Sequence, residues 1–193
     1  SLHDALPIYT NTPTEAPVAL PDLPNPGCIN GVSRPWALKY KQGVLYAGVT
    51  CTAENGGTRS DLVAYVYSYD GNTWSSALVS VPLNYMTKGS AGGACFELWI
   101  CRFNRWRDNE VSWNTATEPP AGIPVGDTDT MWAYPQPILA DIEIDNDGSL
   151  ILGIMDRTGH QYGSVNNDVS GNLAGYLITG GDILRVCNTG TIA

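Results

Sequence analysis

The residues best placed to do chemistry lie around the end of one apolar segment, residues 150–155. Asp156 and Arg157 follow this segment directly, and His160 comes three residues after Arg157. A carboxylate, a guanidinium and an imidazole where a strand enters a polar loop can bind a polar ligand or transfer a proton. Asp141, an ionisable residue in the alternating segment just before, is the fourth candidate. We therefore predict a ligand-binding site formed by these four side chains.

The alternative gives the same residues a structural role. Asp156 and Arg157 would form an ion pair that fixes a loop, and His160 would be a surface histidine. The only other histidine is His3, so a histidine-dependent triad or a multi-histidine metal site is difficult to assemble. The chain has no GxSxG, GxGxxG or P-loop motif. No catalytic residue and no metal ligand are predicted.

A second acidic group lies in the sequence EIDNDG. Glu143, Asp145, Asp147 and Gly148 have the spacing of the first part of a calcium loop, in which alternate carboxylates converge on one cation. The twelfth position of such a loop, normally a bidentate Glu, is Ile154. The sequence therefore favours an acidic hairpin turn over a calcium site, and we expect no cofactor.

Strands must position these residues. Polar and apolar residues alternate over residues 137–144, which is typical of a half-buried strand, and residues 150–155 form a continuous apolar run typical of a buried one. Asn146-Asp147-Gly148 between them predicts a hairpin turn. After a polar loop over residues 156–172, further strands are predicted at 173–178 and 180–187, with a fourth in or beyond 188–193.

An earlier part of the chain has the same plan. Strands are predicted at residues 36–41, 44–51, 62–69 and 74–83, with turns at Gln42-Gly43 and Asp70-Gly71-Asn72. Gly48 matches Gly153 between the two units. Two antiparallel four-stranded meanders predict an all-β fold, an incomplete β-propeller of about two blades. A β-sandwich is the alternative.

The fold class sets the expected domain organisation. Residues 1–8, SLHDALPI, resemble the translated read-through of a sequencing adapter and are expected to be non-native. Residues 9–27 are proline-rich and predict a linker or an ordered strap across a surface. Residues 28–193 are predicted to be a partial propeller, with blade-like units at about 34–84 and 135–193 and a loop-rich insertion at 85–134. We expect the chain to be a fragment.

Composition limits the partners. The net charge of −9 and the isoelectric point near 4.4 argue against nucleic-acid binding, because phosphates would be repelled. The small basic cluster Arg102, Arg105 and Arg107 is followed by two acidic residues. No apolar stretch is long enough to cross a membrane, so we expect no membrane insertion of this chain.

The five cysteines lack the CxxC spacing of zinc sites. Cys28 and Cys51 are the easiest pair, because the hairpin at Gln42-Gly43 would bring their segments together. Cys95 and Cys101 need a turn between them, since one straight strand would hold them about 20 Å apart. The connectivity stays open, free thiols are the alternative, and Cys187 is expected to be the odd residue.

Three motifs carry a family resemblance: RPWALKYKQGVLYAGVTC, DLVAYVYSYD and YPQPILADIEIDNDGSLILGIMDRTGHQ. With them the chain resembles the β-propeller-like region of bacterial surface proteins that carry serine-aspartate-repeat B-like (SdrD B-like) modules. The resemblance implies an extracellular or cell-surface location and a non-catalytic structural or adhesive role, with an extracellular protein or polysaccharide as partner. It carries over no catalytic residue, and no B-like module is present here.

The main alternative function is a ligand- or sugar-binding propeller, or a hydrolase or lactonase-like enzyme. Asp141, Asp156, Arg157 and His160 would then surround the ligand, and some of the six tryptophans would stack on sugar rings. The two functions differ in one structural expectation. An enzyme requires the four side chains to converge on one pocket, whereas an adhesive module leaves them apart or paired with neighbours.

Overall fold

The computed structural model describes residues 19–85, 89–90, 102–107, 122–125, 129–132, 135–162, 176–177 and 180–188. Almost all of their regular secondary structure is β-strand, and the two larger sheets are four-stranded and antiparallel, so the all-β prediction is confirmed. Neither sheet closes, and the described residues form no ring of blades. The predictions for residues 1–18, Cys95, Cys101 and residues 189–193 lie outside this part of the chain.

In chain order the elements are β1 (Ser33–Lys41), β2 (Val44–Cys51), β3 (Val63–Tyr69), β4 (Val79–Pro82), β5 (Gly89–Ser90), β6 (Gly122–Val125), β7 (Asp129–Trp132), β8 (Pro137–Ile144), β9 (Leu150–Asp156), α1 (Arg157–Tyr162), β10 (Tyr176–Leu177) and β11 (Gly180–Val186). A 3₁₀ turn (Arg59–Asp61) precedes β3. The first sheet has the order β1-β2-β3-β4, and the second has the order β5-β11-β9-β8.

The first sheet follows the predicted meander. Gln42 (φ 51°) and Gly43 (φ 87°) connect β1 to β2 by a two-residue turn with two positive φ angles, which fits the twist of a hairpin. The Asp70 carboxylate accepts hydrogen bonds from the N–H groups of Asn72 and Thr73, both at 2.8 Å, and so closes the turn after β3. The fourth strand is shorter than predicted, because Trp74 forms only an isolated bridge with Tyr69.

The second sheet differs from the predicted order of strands. Of the strand predicted at 173–178, the described residues 176–177 form β10, which pairs in parallel with β7 in a separate three-stranded sheet with β6. β11 pairs directly with β9 on one side and with β5 on the other. The fourth strand predicted in or beyond residues 188–193 falls, after Asn188, outside the described residues. The short helix α1 begins in the predicted polar loop, and β6 lies in the predicted loop-rich insertion.

The two sheets share one apolar core, in which β8 packs across β1 and β2. The Leu139 side chain lies over Gly48, where an added Cβ would come within 2.6 Å of Leu139 Cδ2. The Leu139 N–H donates to Thr50 Oγ1 at 2.9 Å. At the edge of the contact, Lys39 forms an ion pair with Glu143. Glycine at position 48 is therefore required by the close approach of the two sheets.

Both sheets contain the same local irregularity. In β1 the register shifts between Pro35 and Ala37, and Ala37 lies opposite Gly48. In β8 it shifts between Leu139 and Asp141, and Asp141 lies opposite Gly153. The glycine match seen in the sequence is thus accompanied by a matching bulge. Counted from the two bulges, three β1 residues correspond to three β8 residues: Pro35 to Leu139, Leu38 to Ile142 and Tyr40 to Ile144.

Residues 19–28, here called the strap, are fixed near both ends. The Trp74 indole N–H donates to the Pro21 carbonyl at 2.9 Å, and Cys28 forms a disulfide with Cys51 across a Cα separation of 5.3 Å. The favoured cysteine pair is therefore confirmed. Since Trp74 bridges to the end of β3 and Cys51 pairs with its start, the strap spans the length of that strand.

Candidate functional site

Asp156 is the last residue of β9 and caps α1. Its Oδ1 accepts hydrogen bonds from the backbone N–H groups of Thr158 and Gln136, both at 2.9 Å, and its Oδ2 accepts from that of Gly180 at 3.3 Å. The first N–H groups of a helix have no partner inside the helix, and an aspartate at this position supplies one. With 5% of its surface exposed, Asp156 joins three chain segments in the interior.

Burial raises the pKa of Asp156 to about 6, because the charged carboxylate has lost its contact with water. The N–H groups of Gln136, Gly180, Thr158 and Gly159 oppose this rise by stabilising the charged form. A carboxyl that titrates near neutral pH is a property of many catalytic acids. Here the donors around the Asp156 carboxylate are backbone N–H groups in the protein interior. The raised pKa is therefore expected to affect the pH dependence of stability.

We expect this carboxyl to make the protein less stable as the pH rises from about 4 to about 6. The unfolded carboxyl has the ordinary pKa of 3.8, so between these values the folded state binds more protons than the unfolded one. The stabilising contribution of the protonated carboxyl is complete below the unfolded pKa and disappears as the pH rises through the folded pKa. Its size is on the order of 2 kcal/mol. Urea unfolding from pH 4 to 7 measures it.

The control for this pH dependence is Asp156→Asn, which removes the titration while keeping an oxygen acceptor. Hydrogen bonds lower the pKa of Asp70 and Asp147, so these two residues make stability rise with pH. Subtracting the unfolding free energy of the variant from that of the wild type cancels their contribution. The free energy of unfolding of the wild type minus that of Asp156→Asn should fall as the pH rises, because only the wild type loses stability through this carboxyl. A difference that grows in the wild type's favour would show that the N–H donors outweigh burial.

Arg157 lies in a polar junction behind the cap. Its Nη1 donates to Gln136 Oε1 at 2.8 Å and to the Arg107 carbonyl at 3.0 Å. Its guanidinium lies 4.7 Å from the ring centroid of Trp106, within the range of a cation–π contact. The Trp106 indole in turn donates to the Pro137 carbonyl at 2.8 Å. These contacts explain a structural role for Arg157 without a ligand.

The same junction connects the two sheets. The Trp106 N–H donates to the Thr52 carbonyl at 3.0 Å, at the end of β2, and the Asn104 N–H donates to the Pro135 carbonyl at 2.7 Å, before β8. Asn104 Oδ1 accepts from Arg59 at 2.7 Å. Residues 102–107 thus link both sheets by buried hydrogen bonds. Gln136 and Trp106 were not predicted, since no local pattern marks residues whose partners are distant in the sequence.

The four predicted ligand-binding residues do not converge. Asp156 follows the buried positions of β9 on the core side, whereas Asp141 is exposed and lies opposite Gly153 on the outer side of the same sheet. His160 is exposed on α1. Arg157 and Asp156 are neighbours in the buried junction. These four side chains therefore cannot act together on one ligand in this arrangement. Asp141 alone borders a groove, which is described next.

The groove lies on the outer face of the second sheet and has a volume of about 520 Å³. Residues from three adjacent strands line it: Ala140, Asp141, Gly153, Ile154, Met155, Gly181, Asp182 and Ile183. The three atoms nearest to an added Cβ at Gly153 all belong to Asp141, at 3.3 to 3.9 Å. Ile183 is 75% exposed. We call this depression the Gly153 groove; it is mainly apolar with carboxylates at its border.

The acidic hairpin between β8 and β9 turns its carboxylates toward an arginine. Arg185 Nη2 lies 2.6 Å from Asp147 Oδ2 and 3.2 Å from Asp145 Oδ2. Asp147 Oδ1 accepts from the Ser149 N–H at 2.9 Å, which closes the turn. Among the described residues, no cluster of three or more metal-ligating side chains is present. The contacts support the hairpin interpretation of the EIDNDG sequence.

Sequence reasoning missed an exposed row on β1. Trp36, Leu38 and Tyr40 are 55%, 66% and 69% exposed, while the small Ala37 between them is buried in the core. Apolar residues at alternate positions normally predict the buried face of a strand. Here the larger side chains point away from the core, because β8 approaches the Ala37 side closely. Exposed aromatic and aliphatic side chains in one row are typical of an interaction surface.

No helix in the described ranges is long and apolar enough to cross a membrane. The chain matches no family model, no curated protein and no solved structure.

Proposed function

We propose that this chain is a non-catalytic structural and adhesive module of a bacterial extracellular or cell-surface protein. Its two sheets would be neighbouring blades of a β-propeller-like domain. The exposed row of Trp36, Leu38 and Tyr40 carries this proposal, because it offers a contact surface while the four predicted ligand-binding residues do not converge. The disulfide between Cys28 and Cys51 is compatible with an oxidising compartment.

The blade arrangement is supported by the internal repeat. Each sheet has a bulge on one strand opposite a glycine on the next, and β8 packs against β1 and β2. Neighbouring blades of a propeller contact each other face to face in this manner. Such a module presents the outer faces of its sheets to whatever lies beside it.

Adhesion through the β1 row predicts a specific loss of binding. Against a panel of immobilised extracellular polysaccharides and matrix proteins, the wild type should retain at least one, and Trp36→Ala should lower that affinity by about tenfold, since a stacked or packed tryptophan face is lost. Biolayer interferometry measures this. The matched control is His160→Ala, an exposed aromatic residue on α1, which should leave the affinity unchanged.

The second candidate function is sugar binding or hydrolysis at the Gly153 groove, favoured by the exposed Asp141 carboxylate at its border. The same protein preparations test it with a panel of glycoside, ester and lactone substrates. Turnover that is lost in Asp141→Asn would replace the adhesive proposal with an enzymatic one. Binding that depends on Trp36 without turnover would support adhesion.

A further inference from the structure

We propose that copies of this chain associate head to tail, the β1 stripe of one copy packing into the Gly153 groove of the next. The β1 stripe consists of Pro35, Leu38 and Tyr40, all exposed. It shares Leu38 and Tyr40 with the exposed row described above and has Pro35 in place of Trp36. This inference rests on the proposed function, because it treats the two sheets as equivalent units. The partner that it names for the exposed faces is a second copy of the chain. The internal contact between the sheets supplies the template.

The β1 stripe corresponds to residues that are buried elsewhere in the same molecule. Pro35, Leu38 and Tyr40 occupy the positions that Leu139, Ile142 and Ile144 hold in β8, counted from the two bulges. In β8 these positions face the first sheet, and Leu139 and Ile142 are fully buried there. The stripe on β1 therefore has the apolar character of a packing face but lacks the sheet that would cover it.

The Gly153 groove corresponds to the depression that receives β8. On the first sheet, Gly48 leaves space that the Leu139 side chain fills. On the second sheet, Gly153 has the equivalent place opposite a bulge, and the three atoms nearest to its added Cβ all belong to Asp141, at 3.3 to 3.9 Å. Since β8 packs across β1 and β2, the equivalent contact would place β1 of a second copy across β8 and β9.

The charges of the two surfaces are complementary. β1 carries Arg34, Lys39 and Lys41 and no acidic residue, whereas β8 carries Asp141 and Glu143 and no basic residue. This complementarity already operates inside the chain, where Lys39 pairs with Glu143. Lys39 and Glu143 also hold equivalent positions after the two bulges, so stacking a second copy would again bring β1 cations toward β8 carboxylates. Within the chain Arg34 also pairs with Glu54 and Lys41 donates to the Ile144 carbonyl, so the sign of the charges is compatible with this partner, and the fit of the two surfaces carries the inference.

A contact of this type is heterologous, since each copy contributes a different surface. Such contacts close into a ring or continue as an open chain, depending on the rotation between copies. Each copy has one stripe and one groove, so a copy that lacks one surface can still use the other. This property allows the interface to be tested by mixing two defective variants.

The experiment is sedimentation velocity at rising concentration of the full chain. Wild type should associate, while Leu38→Glu, which places a charge in the stripe, and Gly153→Val, which fills the groove, should each weaken association by about tenfold or more. An equal mixture of the two variants should form dimers and nothing larger, because only one functional contact remains. Ile29→Glu, at an exposed apolar residue outside both surfaces, is the control and should behave as wild type.

Circular dichroism tests whether each variant is folded. If Gly153→Val is not folded, Asp141→Lys takes its place as the variant that alters the groove. Wild type that stays monomeric at the highest concentration overturns the inference, as does association that both variants retain. Failure of this inference is distinct from failure of the proposed function. Monomeric protein that still binds a polysaccharide through Trp36 would overturn head-to-tail association and leave the adhesive function standing.

Discussion

Replacing Asp156 with alanine is expected to lower the free energy of unfolding by about 3 to 4 kcal/mol. The change removes the cap of α1, worth about 1 kcal/mol, and leaves buried backbone N–H groups without an acceptor, at roughly 1–3 kcal/mol for each that water cannot reach. Gln136 and Gly180 are the residues concerned, because their N–H groups lie in the interior. Urea unfolding at pH 6, followed by circular dichroism, measures the loss.

The matched control is Asp141→Ala, which removes the same group from the exposed face of the same sheet and should change stability by no more than about 0.5 kcal/mol. Asp156→Asn should fall between alanine and wild type, because its oxygen can still cap α1 while its amide group faces the Gly180 N–H. An alanine variant as stable as the Asp141 control would contradict the structural role.

The sequence predicted best where strands pair with their neighbours along the chain. The bounds of β2 and β8 agree with the predictions, because alternation and turn residues such as Gln42-Gly43 are local signals. The pairing of β11 with both β9 and β5 depends on segments far apart in the sequence. No local pattern encodes that choice, so the place of β5 in this sheet was not predicted.

Two of the residues predicted to bind a ligand have structural roles. Asp156 and Arg157 are important in the structure, but as a helix cap and as part of a buried junction. An aspartate followed by the start of α1 matches an N-cap signal, yet the six-residue helix contains Gly159 and is too short to show a helical period. Burial on the core side could be foreseen only from the alternation of β9 continuing to Asp156.

Loss of the Cys28–Cys51 disulfide is expected to be the second large effect, lowering the unfolding free energy by about 3 kcal/mol. The bond links residues separated by 23 positions, and opening a loop of that length restores chain entropy of about this size to the unfolded state. Cys28→Ser combined with Cys51→Ser should also loosen the strap, since the Trp74–Pro21 hydrogen bond would be the one described hydrogen bond left between residues 19–28 and the rest of the fold. Urea unfolding and limited proteolysis measure the two effects.

Cys187→Ser is the matched control, because this thiol is free and exposed and its removal should leave both measurements unchanged. New cleavage within residues 19–28 of the double variant, together with the loss of stability, would show that the disulfide fastens the strap along β3. That result would tie full stability to an oxidising environment, as the proposed extracellular location requires. A double variant with wild-type stability and no new cleavage would show that other contacts hold the strap, and the disulfide would then offer no support for that location.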